Sequence, residues 1–278
     1  MSVRRRLFSS LRPLVERFPY MASLYRNVRD EVDFAEQPAN TPWSFKMAGN
    51  ASMAAGTFEP LETQLVRDLL QEADVLVNVG ANVGYYCCHA LSMGKAVIAF
   101  EPIHRNLRYL CKNILVNGWS GAEIYPVALS NRVGVLEIYG SGTGASVIKG
   151  WASIPESHVS LVPCSTMDVI LGARLKGRRA LVLADIEGAE KTMLEGASQM
   201  LANEPKPVWL MEICFTENHP GCVNENFQDI FELFWAHGYE ALSVEGGMRP
   251  VTAADIRRWH DTKSRDFGYV SYLFRPRP

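Results

Sequence analysis

The fold of this chain is decided by one stretch of sequence, Val75-Leu-Val-Asn-Val-Gly-Ala-Asn-Val-Gly-Tyr85. An apolar run breaks at two glycines and continues into the helix-compatible residues 85–91, which predicts a strand, a tight turn and a helix. Gly80 and Gly84 let the backbone turn sharply and let a ligand approach it closely. The amides that open the helix offer hydrogen-bond donors to a polar group. The stretch therefore predicts a nucleotide-type binding pocket.

An acidic residue after the next strand supplies the second half of this pocket. The apolar residues 96–100 end at Glu101, about twenty residues after Gly80, the spacing at which a carboxylate meets ribose hydroxyls. A dinucleotide fingerprint requires glycine at the position of Asn82, where the backbone passes a pyrophosphate. A nucleoside with an amino-acid tail and no phosphates fits better, and S-adenosylmethionine matches that description. An NAD(P)-dependent oxidoreductase remains the less favoured alternative.

Composition and charge narrow the class of protein. The 278 residues are 47% hydrophobic, enough for one main α/β domain with an extension. The formal net charge of -2 shows no bias toward nucleic acid, so no nucleic-acid partner is predicted. The six cysteines form no Cys-x-x-Cys pair, which indicates free thiols in a reducing compartment. With no apolar run of transmembrane length and no signal-peptide cleavage pattern, we expect a cytoplasmic protein.

The N-terminal region allows two interpretations. Residues 1–58 are predicted to form a helical or irregular extension, and residues 59–278 the main domain. Five arginines accompany apolar residues near helical spacing in the first part of the extension, namely Leu7, Leu11, Leu14, Val15, Phe18 and Met21. A basic amphipathic helix of this kind could make weak peripheral contact with an anionic membrane. The alternative is a helical cap that packs on the main domain.

The remainder of the chain alternates strands and helices. Helices are predicted at residues 61–72, 104–116, 191–201 and 226–237. Strands are predicted at residues 123–128, 133–139, 160–163, 180–184, 208–211, 239–244 and 269–274. This alternation implies a parallel sheet with helices on both sides, and the last strand is expected to be antiparallel.

Polar residues follow four of the predicted strands: Gly80, Glu101, Asp185 and Glu212. In an open α/β sheet, ligands bind beyond the carboxyl ends of the strands. We therefore expect these four residues to converge on one edge, because acidic side chains are rarely buried unless they are used or paired.

Each acidic residue also has a simpler structural explanation. Asp185 could cap the following helix, and Glu187 and Glu190 could complement its dipole. Asp185, Glu187 and Glu212 could alternatively hold a divalent metal, since hard cations prefer oxygen ligands. No metal is included in the predicted site.

Six motifs in order resemble the FkbM family of S-adenosylmethionine-dependent methyltransferases, over about residues 59–274. They are Asn78-Val-Gly-Ala-Asn-Val-Gly84, Phe100-Glu-Pro102, Val127-Ala-Leu-Ser130, Thr166-Met-Asp168, Asp185-Ile-Glu-Gly-Ala-Glu190 and Leu210-Met-Glu-Ile213. The resemblance implies a class I methyltransferase fold, with a Rossmann-like, doubly wound, seven-stranded sheet whose last strand is antiparallel. It also implies O-methylation of a carbohydrate, glycolipid or natural-product hydroxyl. One departure is Asn78, where the family usually has Asp, so a charge attraction for the cofactor is lost.

The resemblance also assigns roles to individual residues. Asn78, Gly80, Ala81, Asn82, Gly84 and Tyr85 are expected at the methionine end of the cofactor, Glu101 at the ribose, and Ala128 and Leu129 at the adenine. Asp185 would face the amino-acid tail or the reacting hydroxyl. Candidates for the catalytic base are Asp185, Glu212 and His219.

Two further expectations concern the acceptor and the activity. Aromatic residues that could stack on a sugar ring are Trp151, Trp209, Phe215 and Trp259. A catalytically silent binding protein with the same fold is an alternative, for which Asn78 is the only hint.

Overall fold

The computed structural model describes residues 31–140, 144–153, 159–221 and 223–277. The arginine-rich segment for which we predicted membrane contact or a helical cap precedes residue 31, so it lies outside the described residues, as does Cys222. Both N-terminal interpretations therefore stay predictions.

The described chain begins with short elements and continues with alternating strands and helices. In the first half these are β1 (Ala39–Asn40), β2 (Lys46–Met47), α1 (Ala51–Ala55), α2 (Pro60–Glu72), β3 (Val75–Val79), α3 (Tyr85–Ser92), β4 (Ala96–Phe100), α4 (His104–Val116), β5 (Ala122–Tyr125), β6 (Ala128–Leu129) and β7 (Gly134–Tyr139). The middle of the chain continues with a 3-10 turn (Trp151–Ser153), β8 (Val159–Ser165), α5 (Met167–Ile170), β9 (Ala180–Ala184), α6 (Glu190–Glu195), α7 (Ser198–Leu201) and β10 (Val208–Glu212). The last elements are α8 (Phe227–Ala236), β11 (Tyr239–Ser243), α9 (Glu245–Met248), β12 (Arg249–Val251), α10 (Ala253–Thr262) and β13 (Ser271–Pro276).

The main sheet has the strand order β12-β11-β13-β10-β9-β3-β4-β5. The strands β5, β4, β3, β9 and β10 run parallel, and β13 is antiparallel to both of its neighbours, which confirms the expected antiparallel last strand. The expected number of seven strands is wrong, because β12 pairs with β11 and adds an eighth. With three residues, one of them Pro250, β12 lacks the length and alternation that reveal a strand in a sequence.

Residues 123–128, predicted as one strand, divide between two sheets. The strand β5 ends at Tyr125 in the main sheet, and β6 begins at Ala128 in a three-stranded sheet of order β6-β8-β7. Pro126 lies between them and has no N–H with which to continue a ladder. The second sheet thus starts directly beside the carboxyl edge of the first.

Alternating side chains of the central strands build two cores, one on each face of the main sheet. Val75, Val77 and Val79 face a cluster that includes residues of α6, α7, α8 and α10. Leu76 faces the opposite cluster, which includes residues of α2, α3 and α4. Successive side chains of a strand point to opposite faces, so strands that are apolar throughout require helices on both sides. The expected arrangement of helices is present.

The described part of the N-terminal extension packs on the main domain. Phe45, Met47 and Met53 are buried in a cluster with Val83 and Tyr85, which lie at the start of α3. The division of the chain at residue 58 stays a prediction, although these contacts join the two parts in one apolar cluster.

Two properties of the described residues concern the environment of the protein. No helix in these ranges combines the length and apolar character needed to span a bilayer. The cysteines Cys87, Cys88, Cys111, Cys164 and Cys214 are free thiols.

The predicted helix at residues 191–201 is broken into α6 and α7 at Gly196. A Cβ atom at this position would lie 2.1 Å from the carbonyl oxygen of Ser130. The backbone of Gly196 has a φ of -93°, so the constraint is close approach and not left-handed geometry. This contact joins the end of α6 to the chain that leaves β6.

Replacing Gly196 with Ala should therefore destabilise the protein by about 2 kcal/mol or more, because the added methyl group overlaps a backbone oxygen. Gly221, which has no atom within 4 Å of an added Cβ, provides the matched control. Gly221→Ala should change stability by less than about 0.5 kcal/mol. Urea denaturation measures both, and equal effects of the two substitutions would contradict the packing argument.

Candidate functional site

Four strand ends lie side by side at the carboxyl edge of the main sheet. Val79 pairs with Phe100 on one side and with Ala184 on the other, and Ala184 pairs with Met211. The four residues that follow these partners in the chain therefore share one edge: Gly80, Glu101, Asp185 and Glu212. The predicted convergence of three carboxylates and a glycine turn is present in the structure.

A cleft opens where the order of the parallel strands reverses. From β3, the chain order continues through β4 and β5 on one side and through β9 and β10 on the other. Such a reversal leaves a crevice at the carboxyl edge, because the two connections leave in opposite directions. The cleft has an empty volume of about 650 Å³, part of it open to solvent.

The floor of the cleft depends on a close backbone contact. A Cβ atom on Gly80 would lie 2.0 Å from the carbonyl oxygen of Asp185, and Gly80 has a φ of +77°. The amide of Asp185 donates to the carbonyl of Val79 at 3.1 Å. Only glycine permits both the left-handed geometry and this approach. The turns after β3 and β9 are therefore packed directly together.

The amides of the first turn are engaged within the protein. Gly80 and Ala81 both donate to the carbonyl of Phe100, at 3.0 and 2.9 Å, and Asn82 donates to Oε2 of Glu101 at 2.7 Å. These three amides are engaged within the protein because the turn folds back onto the end of β4. Asn82 has a φ of +51° in this turn.

Glu101 is held rigidly at one end of the cleft. Its side chain is buried, and Oε1 accepts from the amide of Ile103 at 2.8 Å. Burial raises the pKa of Glu101 to about 7, against the opposing effect of the amides of Ile103 and Asn82. A carboxylate has about four lone-pair directions, so it retains acceptor capacity for hydroxyl groups of a ligand.

Asp185 lies at the other end of the cleft, and Glu212 follows the neighbouring strand at the carboxyl edge, outside the residues that line the cleft. Surrounding protein atoms, and then the charges of Glu212 and Glu187, raise the pKa of Asp185 well above its ordinary value. The Asp185 side chain itself remains accessible to solvent, because it lies in the wall of an open cleft. Burial, with the charges of Glu187 and Glu59, raises the pKa of Glu212 to about 8.

Two more carboxylates complete this acidic surface. Burial raises the pKa of Glu187 and of Glu59, and each accepts a hydrogen bond from a neutral donor, the indole N–H of Trp151 at 2.6 Å and the hydroxyl of Tyr86 at 2.9 Å. Both residues have positive φ, +51° for Glu187 and +38° for Glu59, a strained geometry for a residue with a Cβ. We call Glu59, Asp185, Glu187 and Glu212 the acidic wall, of which Asp185 and Glu187 line the cleft and Glu59 and Glu212 do not.

His219 reaches the cleft only through other side chains. Its ring packs edge-on against the buried Trp151, with 5.3 Å between ring centroids, and Trp151 in turn donates to Glu187. Burial lowers the pKa of His219. The structure therefore places this predicted base behind Trp151 and outside the residues that line the cleft.

The predicted site residues divide into two groups. Those that line the cleft are Gly80, Asn82, Glu101, Ala128, Leu129 and Asp185. Those that do not are Asn78, Ala81, Gly84, Tyr85, Glu212 and His219. Their functional roles stay predictions in both groups.

Three of the predicted residues that do not line the cleft make contacts elsewhere in the structure. Side chains of β3 alternate between the two faces of the sheet, and Asn78 lies on the face that α3 covers. Its Nδ2 lies 3.4 Å from Sγ of Cys87. A Cβ on Gly84 would lie 2.4 Å from Cδ1 of Leu110, so this glycine serves the packing of α3 on α4. The hydroxyl of Tyr85 lies 3.2 Å from Oγ1 of Thr63 within an aromatic cluster, away from the cleft.

Sequence reasoning missed part of the lining. Ile138, Ala145 and Val147 come from the second sheet and the chain that follows β7, and they carry no motif. No local pattern could identify them, because their position depends on how the second sheet folds over the first. Asn106 also lines the cleft, and its Nδ2 lies 3.4 Å from Oε1 of Glu101.

The aromatic residues expected at an acceptor site lie elsewhere. Trp209, Trp259 and Phe215 are fully buried in the main core. Trp151 is buried as well, and only its contacts with Glu187 and His219 connect it to the cleft. These side chains fill space and do not form an open stacking platform.

The alternative of a metal site is not formed by the described residues. No three His, Cys, Asp or Glu side chains in these ranges come together in a way that could hold a metal ion. Glu187 turns toward Trp151, so Asp185, Glu187 and Glu212 do not converge on one point.

Comparison with known proteins identifies one family. A model of the methyltransferase FkbM domain matches residues 78–241. No curated protein matches the chain.

Several solved structures are similar at low sequence identity. They include WbdD (11% identity, TM-score 0.45, 80% of this chain and 41% of that chain) and the precorrin-6y C5,15-methyltransferase of Geobacter metallireducens GS-15 (8%, 0.39, 83% and 90%). Another is the ribosomal protein L11 methylase of Lactobacillus delbrueckii subsp. bulgaricus (9%, 0.40, 78% and 78%). The chain spans less than half the length of WbdD.

Replacing Glu212 with Gln should stabilise the protein increasingly as the pH rises. The folded protein holds a proton on Glu212 up to about pH 8, whereas the unfolded chain releases it near pH 4.5, so the wild type loses stability across that interval. The gain at pH 8 should be on the order of 1–2 kcal/mol, discounted because the group is partly solvated. This corresponds to about 2–6 °C in Tm.

Thermal unfolding of both proteins at several values between pH 5 and pH 9 measures this effect. Glu232→Gln, on the exposed side of α8, is the matched control and should show a Tm difference from wild type that does not change with pH. A Glu212→Gln difference that stays constant with pH, or that shrinks as the pH rises, would exclude a raised pKa at Glu212.

Proposed function

Because the chain belongs to the methyltransferase FkbM family, we propose that it transfers a methyl group from S-adenosylmethionine to a hydroxyl of a carbohydrate, glycolipid or natural product. The observation that carries this proposal is the cleft at the reversal of strand order, with Glu101 at one end and Asp185 at the other. Such a cleft suits an elongated ligand with a hydroxyl-bearing ring at one end and a positive charge at the other.

The residues of the cleft fit a nucleoside. Glu101 is fixed by two amides and retains acceptor capacity, as a ribose diol requires. Apolar side chains beside it, among them Ile103, Ala128 and Leu129, would contact the adenine ring. S-adenosylmethionine supplies an activated methyl group on a positively charged sulfur.

The same geometry argues against a dinucleotide. A pyrophosphate needs free amides and often a basic side chain, yet the amides of Gly80, Ala81 and Asn82 are engaged within the protein. The described lining residues include no Lys, Arg or His, and they include the acidic Asp185 and Glu187. Two phosphate charges beside these carboxylates would be repelled.

Methyl transfer needs a group that takes the proton of the acceptor hydroxyl. Bound S-adenosylmethionine would supply the methyl group and keep the electron pair of the broken carbon–sulfur bond, and the acceptor oxygen would release its proton to a base of the protein. Asp185 is the favoured base, because it faces the cleft and its raised pKa makes it a stronger proton acceptor than an ordinary carboxylate. Glu212 lies beside it at the carboxyl edge but outside the lining of the cleft, and His219 is too far behind Trp151 to be favoured.

The catalytically silent alternative depends on Asn78. In this structure its side chain faces Cys87 and α3, so exchange of Asp for Asn alters charge behind the cleft and not in its lining. This placement supports an active enzyme and weakens the one hint for a silent protein.

Calorimetric titration tests the cofactor assignment. We expect saturable binding of S-adenosylmethionine by the wild type and no binding of NADH. Glu101→Ala should weaken binding by about 2 kcal/mol, or roughly thirtyfold, because hydrogen bonds to a charged group are lost. Glu72→Ala, at the far end of α2 with a side chain 87% exposed, should leave the affinity unchanged.

Two other outcomes would change the assignment. Binding of NADH in preference to S-adenosylmethionine would replace the methyltransferase proposal with an oxidoreductase. Failure of the wild type to bind either ligand, together with binding by Asn78→Asp, would support the silent alternative.

Transfer of a radiolabelled methyl group tests the reaction. Incubation with labelled S-adenosylmethionine and a panel of neutral glycosides, glycolipids and polyketides should give a product whose label resists alkali, as a methyl ether does. Label that alkali releases would indicate an ester and therefore a carboxyl acceptor. Glu101→Ala should give less product at low cofactor concentration, because binding is weakened. Cofactor binding without transfer to any hydroxyl would again favour the silent protein.

A further inference from the structure

Glu187 lines the cleft, and the methyl transfer described above gives it no role. It lies two residues after Asp185, in the turn between β9 and α6. Its φ of +51° is a geometry that a residue with a Cβ adopts at a cost, and it persists only where surrounding contacts hold it. The position of Glu187 therefore depends on other parts of the chain.

One segment, residues 144–153, holds Glu187 and its neighbour at three points. The hydroxyl of Ser146 donates to the backbone carbonyl of Glu187 at 2.5 Å, and the indole N–H of Trp151 donates to Oε2 of Glu187 at 2.6 Å. A Cβ atom on Gly188 would lie 2.4 Å from Cδ1 of Ile148, so the segment also packs directly on the turn. Both the backbone and the carboxylate of Glu187 are thus fixed in position.

These contacts use only one oxygen of the Glu187 carboxylate. Oε1 accepts no hydrogen bond within the described residues and is not fully buried, so solvent reaches it. Trp151 is 1% exposed and does not line the cleft, whereas Glu187 does. A residue of the cleft lining thus keeps one accessible acceptor oxygen, and a buried indole fixes the orientation of its carboxylate.

The contacts that fix this carboxylate lie on the side of the cleft away from Glu101. Glu101 follows β4, which lies beyond β3 in the sheet, whereas β10 lies on the opposite side of β9. The segment that carries Trp151 contacts the loop after β10, where the amide of Ala152 donates to the carbonyl of Asn218 at 2.8 Å. With Glu101 at the ribose, the methyl group would lie toward Asp185, and the acceptor would approach from this opposite side.

We propose that Glu187, positioned by Trp151, binds a second hydroxyl of the methyl acceptor, so that the protein selects acceptors with neighbouring hydroxyls, as carbohydrates have. The inference rests on the proposed function and narrows its acceptor class. With Asp185 at the reacting hydroxyl, Glu187 would accept a hydrogen bond from the hydroxyl beside it. Two contacts orient a sugar ring, whereas one leaves it free to rotate. Trp151 acts only through Glu187 and is a positioning residue.

Calorimetric titration with neutral glycosides tests the proposal, in saturating S-adenosylhomocysteine so that no methyl transfer occurs. The probes are the methyl pyranosides of glucose, galactose and mannose, each with its monodeoxy analogues. Transfer of labelled methyl to the same probes identifies the reacting hydroxyl. The wild type should bind the methylated glycoside roughly tenfold more tightly than the analogue that lacks the neighbouring hydroxyl, because a hydrogen bond to a charged group is lost.

Two variants separate the roles of the carboxylate and the indole. Glu187→Ala should bind the glycoside and its deoxy analogue with equal affinity. Trp151→Phe removes the indole N–H, retains an aromatic ring, and should weaken binding of the glycoside about fivefold. In the Glu187→Ala background, Trp151→Phe should cause no further loss, because the indole acts only through the carboxylate. A purely structural role of Trp151 would give losses that add.

Trp209→Phe is the matched control, because it removes a buried indole N–H that approaches the hydroxyl of Tyr239 in the main core. It should leave both the affinity for the glycoside and the discrimination against its deoxy analogue unchanged. All variants should bind S-adenosylmethionine as the wild type does. Thermal unfolding shows which variants are folded, and Glu187→Ala alone decides the discrimination if Trp151→Phe does not fold.

Failures of the two proposals are distinguishable. Equal affinity of the wild type for each glycoside and its analogues, or transfer only to acceptors with a single hydroxyl, would overturn the acceptor proposal and leave methyl transfer intact. Discrimination that survives in Glu187→Ala would overturn the role of Glu187, and additive losses would overturn that of Trp151. Failure to bind S-adenosylmethionine, or to transfer label to any hydroxyl, would overturn the proposed function and this inference with it.

Discussion

The site depends on one backbone contact, the approach of Gly80 to the carbonyl oxygen of Asp185. A side chain at Gly80 would overlap that oxygen, so the turns that follow β3 and β9 meet only because a glycine stands there. The contact lies where the order of the parallel strands reverses, and it brings the connections from the two halves of the sheet together. Glu101 and Asp185, which come from opposite halves, consequently line one cleft.

The acids at the carboxyl edge of the main sheet and those on the exterior are in opposite electrostatic environments. Acids on the exterior, such as Asp74 and Glu123, are neutralised by arginine, and their pKa values are lowered by those partners. At the carboxyl edge of the main sheet, the surrounding protein atoms and neighbouring acids act in the opposite direction and raise the pKa values of Asp185 and Glu212. The fold keeps these carboxylates together at a cost to stability. Strained backbone at Glu59 and Glu187 is a second cost located in the same place.

Prediction from the sequence succeeded where the signal is local. The strands β4, β9 and β10 are apolar runs that reach a polar residue, and β3 is apolar except for Asn78, so both their extents and the residues at the carboxyl edge could be anticipated. It failed where distant segments decide the outcome. A proline at 126 moves the chain from one sheet into another, and Gly196 interrupts a helix because Ser130 passes beside it. The direction of the Asn78 side chain could have been inferred from strand alternation. The family motif instead led to the prediction that Asn78 contacts the cofactor.

The sequence by itself determined the order of strands and helices, the family, and the acidic residues that end the central strands, because apolar periodicity and glycine turns are written in neighbouring residues. Only the tertiary structure decided which of those residues meet. It turned Asn78 away from the cleft, placed His219 behind Trp151, and brought Glu59 from the start of α2 into electrostatic contact with Asp185 and Glu212. These positions depend on packing, because side chains that are distant in the sequence become neighbours only when helices cover the two faces of the sheet. The raised pKa values of the acidic wall come from burial and from repulsion between neighbouring carboxylates, and both arise only when the chain has folded.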